Sequence, residues 1–141
     1  MRYYIDTNIL VFLFQKRMDE ISNDVQEVID DYSNRILTSS VCVQELIHLC
    51  QIGKVNGNKK KPFADAREII PWLIDMGIEV VPTSSRHLSQ FSMLPFMDDH
   101  RDPNDRLIIA QAIVDKITLV SSDRKFSQYE KYGLDFVFNE R

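Results

Sequence analysis

Four acidic residues stand where a β-rich run gives way to a helix, or on a helix close to its start or with an apolar face beside it. Asp6 follows Arg2-Tyr3-Tyr4-Ile5 and Asp123 follows Ile117 to Val120. Asp105 falls in the first turn of a helix opened by Asp102-Pro103, and Glu45 on a helix entered through Ser39-Ser40. In an open parallel sheet the C-terminal ends of the strands share one edge and the next helices start there, so these junctions meet in space. At helical spacing Glu45 shares a face with Cys42, Leu46, Leu49 and Cys50, and Asp105 with Ile108, Ile109, Ala112 and Ile113. Taken singly, each acid has a structural account: Asp6 and Asp123 as helix caps, Asp102 with Asp105 as a capping box, Glu45 paired with Lys54 or His48. Together on one rim they repel, at an upper scale of about 4 kcal/mol per pair near 4 Å and an effective dielectric of about 20. A hard divalent cation with oxygen ligands neutralises such a set, Mg²⁺ in particular taking one or two carboxylates and leaving room for water and phosphate. The chemistry implied is metal-assisted phosphodiester hydrolysis.

The elements that must position these acids alternate. Strands are expected at Arg2 to Ile5, Ile36 to Thr38, Ile78 to Val81, Ile117 to Val120 and Leu134 to Phe138. Helices are expected at Ile9 to Gln15, Asp19 to Tyr32, Val41 to Ile52, Pro62 to Met76, Ser85 to Phe91 and Asn104 to Asp115. Pro71 is expected to kink or split its helix and Gly77 to close it. Gly53 to Lys61 is a loop too short to link domains, and Met93 to Arg101 is irregular. This alternation predicts an α/β fold, a three-layer α/β/α sandwich around a central parallel sheet of about five strands. The 141 residues, 44% of them apolar and 27% charged, suit a single domain over residues 1–141.

Cys42 and Cys50, eight apart, match neither a zinc nor a redox spacing and are expected as core thiols in a reducing compartment. The longest apolar run, Ile9 to Phe14, is far below the roughly 20 residues of a membrane span, and Asp6-Thr7-Asn8 interrupts any signal-like stretch. A cytoplasmic protein without membrane partners is expected. The net charge of −4 argues against holding nucleic acid by bulk electrostatics. Any polyanion contact must be local, from Lys59-Lys60-Lys61, Arg67, Arg101, Arg106 or Arg124-Lys125.

Four segments carry a resemblance: Tyr4-Ile5-Asp6-Thr7-Asn8-Ile9-Leu10; Thr38-Ser39 with Gln44-Glu45-Leu46; the block His100 to Ala112; and Leu119-Val120-Ser121-Ser122-Asp123. In order, and over nearly the whole chain, they resemble the PIN domain, specifically the VapC-type toxin ribonucleases of type II toxin–antitoxin systems. The resemblance implies an endoribonuclease dependent on Mg²⁺, with Mn²⁺ as a substitute, whose carboxylates are Asp6, Glu45, Asp105 and Asp123. It implies support from Thr7, Asn8 and Ser121, a homodimer, and inhibition by a cognate antitoxin whose C-terminal segment lies over the site. Asp6 and Asp105 are expected as the principal metal ligands, Glu45 as a residue that binds or orients the metal and its water, and Asp123 in a second or outer position. Asn104 stands where many relatives carry Phe and Ser121 where Thr is frequent; the first alters a packing contact, the second keeps the hydroxyl.

Asp102 is expected to cap its helix, and Arg106 either to meet phosphate and the acids or to form a surface ion pair with Asp102. His48, His87 and His100 lack the i, i+4 pairing of a zinc helix and are expected to be structural or at the surface. The stripe Ile9, Leu10, Leu13, Phe14 is expected as core or dimer interface, and Trp72, Tyr129 and Tyr132 as packing. Aspartate-nucleophile phosphoryl transfer needs a second Asp where this chain has Asn8, and a receiver-type pocket does not spread its acids to Asp105 and Asp123. The alternative from another class is a PIN-fold module that binds RNA or a partner without cleaving it.

Overall fold

β-Branched and aromatic runs at Tyr3-Tyr4-Ile5, Ile36-Leu37-Thr38 and Thr118-Leu119-Val120 form the three central strands of a sheet. The computed structural model describes residues 1–56 and 64–141. In chain order the strands are β1 (Arg2–Ile5), β2 (Arg35–Ser39), β3 (Glu79–Val81), β4 (Thr118–Ser121) and β5 (Phe136–Phe138). The α-helices are α1 (Thr7–Phe14), α2 (Asn23–Asp30), α3 (Ser40–Gln51), α4 (Ile69–Met76), α5 (Ser85–Met93) and α6 (Pro103–Asp115). All strand pairs are parallel and the spatial order is β3-β2-β1-β4-β5. Tyr4 pairs with Leu37 on one side and Leu119 on the other. β4 is buried along its whole length, as a strand covered by helices on both faces must be. The architecture is the expected α/β sandwich.

The strand order reverses between β1 and β4. Such a reversal opens a crevice at the carboxyl ends of the two strands, because the helices that follow them depart to opposite sides. Asp6 lies at one lip of that crevice and Ser121 to Asp123 at the other.

Two expected helices and one expected kink need correction. The helix expected over Asp19 to Tyr32 is a single 3₁₀ turn, Met18–Glu20, then extended, buried Ile21, then α2. Ser22 is the reason, since its hydroxyl caps Val25 N–H and starts a new helix there. Within the helix expected from Pro62, the described part holds only a 3₁₀ turn, Ala66–Glu68, followed by α4. Pro71 neither kinks nor splits α4, because at its third position the missing N–H has no intrahelical partner to lose. Gly77 closes α4 in the left-handed conformation, φ +71°, as expected.

Cys42 and Cys50 are both free and buried. Among the described residues no helix is long and apolar enough to cross a membrane.

Candidate active site

Asp6 ends β1 and caps α1. Its Oδ1 accepts Thr7 N–H at 2.7 Å, and its Oδ2 accepts the Ser121 hydroxyl at 2.8 Å and Asn8 Nδ2 at 3.3 Å. The cap and the site are therefore the same residue, with one oxygen assigned to each. β1 and β4 are stitched here by Asp6 N–H to Val120 O, 3.0 Å, so Ser121 has little freedom to leave Asp6. Asn8 ties the two lips a second time, donating to Ser121 Oγ and accepting Ser122 N–H.

Ser39 caps α3, which presents Glu45 toward α1, where its Oε2 accepts the Thr7 hydroxyl at 2.7 Å. That bond stands in place of the structural alternative, a pairing with Lys54 or His48. Asp102 caps α6 through Asn104 and Asp105 N–H, as expected, and Pro103 occupies the first helical position. Asp105 is thereby held half-buried in the first turn. Asp6, Glu45 and Asp105 line one cleft of about 380 Å³, whose apolar side is Val11, Phe12 and Leu49. Asp123 caps the 3₁₀ helix Arg124–Tyr132 with Oδ1, leaving Oδ2 directed at His100 Nε2, 3.8 Å away. His100 Nε2 is also 3.3 Å from Asp105 Oδ2, and His100, Asp105 and Asp123 offer ligand atoms all within 4.8 Å of one another.

Among the described residues no lysine or arginine pairs with any of these four carboxylates. Two of them, Asp105 and Asp6, have raised pKa values. Burial pushes the Asp105 carboxyl up to about 8, and the charges of Asp6, Asp102, Glu45 and Asp123 add to the shift. Burial likewise pushes Asp6 up to about 6, against the pull of its Ser121 and Thr7 hydrogen bonds, with Glu45 and Asp123 adding to the rise. The His100 imidazole is lowered by burial, and the Cys42 thiol beside Asp6 is raised well above its ordinary range, again by burial first. A set of oxygen donors that cannot all ionise without a counter-charge fits a hard divalent cation.

A family model described as the PIN domain matches residues 3–132. The chain belongs to the PIN domain family. No curated protein matches it at the sequence level. Its PIN fold is similar to three solved complexes: VapBC2 from Rickettsia felis bound to a promoter DNA fragment, VapBC-1 from nontypeable Haemophilus influenzae, and DNA-bound VapBC from Salmonella typhimurium. To the first it is 21% identical, with TM-score 0.69, covering 99% of this chain and 100% of the other. To the second it is 19% identical (TM-score 0.65) and to the third 17% (0.67), each over 98% of both chains.

The PIN domain's remaining candidate residues are placed unequally. Arg106 is buried, donates to Leu94 O at 3.0 Å and lies over the Phe91 and Phe96 rings. The expected surface pair with Asp102 is absent, and Arg106 does not line the cleft, because its guanidinium fastens the segment before α6 instead. Arg124 stacks on Phe138, and Lys125 is exposed beside Asp123. Lys59, Lys60 and Lys61 lie outside the described residues.

Two residues went unread in the sequence. His100 belongs to the acidic group rather than to the surface or the packing alone; the available signal was its place on the segment that feeds the helix carrying Asp105. Arg141 lines the cleft, held by Glu20 Oε2 at 2.7 Å and by the Phe12 ring, and no sequence rule links it to Asp6.

Proposed function

We propose that this PIN domain is a metal-dependent endoribonuclease of the VapC toxin type, restrained by a cognate antitoxin and assembled as a homodimer. The observation that carries the nuclease reading is the convergence of Asp6, Glu45, Asp105 and Asp123 on one crevice with no lysine or arginine partner among the described residues. The likeness of the fold to VapBC complexes supports the toxin and antitoxin part.

In this reading Asp6 and Asp105 hold the cation, with Mg²⁺ its natural identity and Mn²⁺ a substitute. Glu45 orients the attacking water, and the Thr7 hydroxyl fixes the Glu45 carboxylate in turn. Ser121 and Asn8 hold Asp6, and Asp123 takes an outer position. When bound, the cation supplies the Lewis acidity that lets water attack a phosphodiester phosphorus. The carboxylates read no bases, so substrate choice falls to the surrounding surface, with Arg141, Arg124-Lys125 and the Lys59 to Lys61 segment as phosphate contacts.

The test is incubation of antitoxin-free protein with a cellular RNA pool in Mg²⁺, in Mn²⁺ and in EDTA, with Asp105→Asn alongside. Discrete fragments that require metal and fall by on the order of 10²–10³-fold in the variant are the expected result. RNA retained in EDTA with no fragments under any condition would favour a binding module in place of the nuclease.

A further inference from the structure

The two imidazoles that face carboxylates in this molecule do so differently. His87 Nε2 meets Asp115 Oδ1 at 2.9 Å, the length of a charge-assisted hydrogen bond. His100 Nε2 makes a long hydrogen bond of 3.3 Å to Asp105 Oδ2 and stands 3.8 Å from Asp123 Oδ2, neither as short as the His87 contact. The three ligand atoms lie within 4.8 Å of one another, near the separations of about 3 Å for adjacent and about 4.2 Å for opposite ligands that bonds of about 2.1 Å to one octahedral ion set. The ring is also held as a metal-binding imidazole is usually held, by its other nitrogen. His100 Nδ1 lies 2.8 Å from the Tyr129 hydroxyl, and in the tautomer that donates Nδ1–H to that oxygen the Nε2 lone pair faces the two carboxylates. Phe126 and Tyr129 set edge contacts on the ring, both at 5.4 Å between centroids, and only 4% of the residue is exposed.

We infer that His100 Nε2, Asp105 and Asp123 form a nitrogen-containing cation subsite beside the all-oxygen face of Asp6 and Glu45, and that this subsite takes Mn²⁺ in preference to Mg²⁺. The preference follows from the donor: imidazole favours first-row transition ions, whereas Mg²⁺ favours carboxylate, carbonyl and water oxygens. Asp105 belongs to both faces, through the cleft it shares with Asp6 and the triangle it shares with His100. The inference rests on the metal-dependent reading above but is read out without RNA.

The experiment is pulsed electron paramagnetic resonance of Mn²⁺ added to the metal-free full chain, together with calorimetric titration of Mn²⁺ and Mg²⁺. Bound Mn²⁺ is expected to show ¹⁴N modulation from a directly ligated imidazole, replaced by a ¹⁵N pattern when histidine is ¹⁵N-labelled, which needs no variant. His100→Gln is expected to weaken Mn²⁺ by about 10–100-fold and Mg²⁺ by less than about threefold, and Tyr129→Phe to weaken Mn²⁺ by about tenfold. Mn²⁺ that binds without nitrogen modulation, or equal losses for both ions, overturns the subsite and leaves His100 as a brace for Asp105. No binding of either ion to the wild-type protein overturns this inference and the metal-dependent nuclease together. Nitrogen-ligated Mn²⁺ with no RNA cleavage upholds the subsite and counts against the nuclease alone.

Discussion

Helix α6 carries an aspartate at each end, Asp105 in its first turn and Asp115 in its last, about 15 Å apart by helical rise. Both are partly buried and both face a histidine, yet they sit in opposite kinds of polar environment. Asp115 accepts the Tyr4 hydroxyl at 2.6 Å and His87 Nε2 at 2.9 Å. His87 Nδ1 in turn accepts Ser84 N–H, which places the ring proton on Nε2 where Asp115 can take it. Gln111 completes this network, donating to Tyr4 and to Val81 O while accepting from Ser39 and Thr83. Every donor has found an acceptor. At the other end Asp105 faces Asp6, Glu45 and Asp123, and its carboxyl rises to about 8. A buried polar group that is satisfied within the protein reads as structure; a buried group of like charges reads as half of an interaction whose other half comes from outside.

Removing Asp115 should break the first environment and spare the second. Asp115→Ala strands the buried His87 Nε2 and Tyr4 hydroxyl, so denaturant unfolding should show a loss of about 2–4 kcal/mol while calorimetry finds Mg²⁺ affinity unchanged. At Asp105 the effect should reverse sign. Its folded pKa lies above the unfolded value of 3.8, so the metal-free fold loses stability as pH rises from about 4 to about 8 and recovers it on acidification. Asp105→Asn should therefore stabilise the metal-free protein at pH 8, by on the order of 2 kcal/mol, with little gain at pH 5. Mg²⁺ should raise the wild-type melting temperature more at pH 8 than at pH 5; equal shifts would show that the carboxylates are not competing with protons for the ion.

The smallest effect expected is at Arg141. Arg141→Gln should lower the slope of log affinity for single-stranded RNA against log salt by about 0.7, one phosphate's share, with Asp105→Asn as background to prevent turnover. An unchanged slope would leave Arg141 as a partner of Glu20 and nothing more.

What was legible in the sequence follows the same division. Asp6 and Asp123 are readable because each follows a strand, and the topology of a parallel sheet brings such junctions together whatever their separation; Asp105 is readable from the start of its helix and Glu45 from the apolar face it shares. Capping and site roles coexist: Asp6 and Asp123 each give one oxygen to a helix N-terminus and direct the other elsewhere. The Tyr4–His87–Asp115 network was invisible, since residues from β1, α5 and the end of α6 share no local pattern. His100 shows no helical spacing because it lies on an irregular segment, so only the fold brings it to Asp105 and Asp123. The charge of Arg106 suggests either a phosphate or acid contact or a surface pair, while its burial depends on Phe91, Phe96 and the Leu94 carbonyl closing over it. The break at Ser22 shows the converse, a short polar residue whose capping strength outweighed a helical run.

The crevice joins two halves of unequal permanence. Asp6 belongs to the central strand pair, its amide bonded to Val120 O, so hydrogen exchange there must wait for the sheet itself to come apart. His100 is carried by the segment between α5 and α6, where its own amide reaches only Met97 O and the anchors are Arg106 on Leu94 O and Tyr129 on the imidazole. Those contacts can open locally while the sheet stays closed. One side of the site is thus tied to the sheet, whereas the other hangs on a few side-chain contacts of a loop.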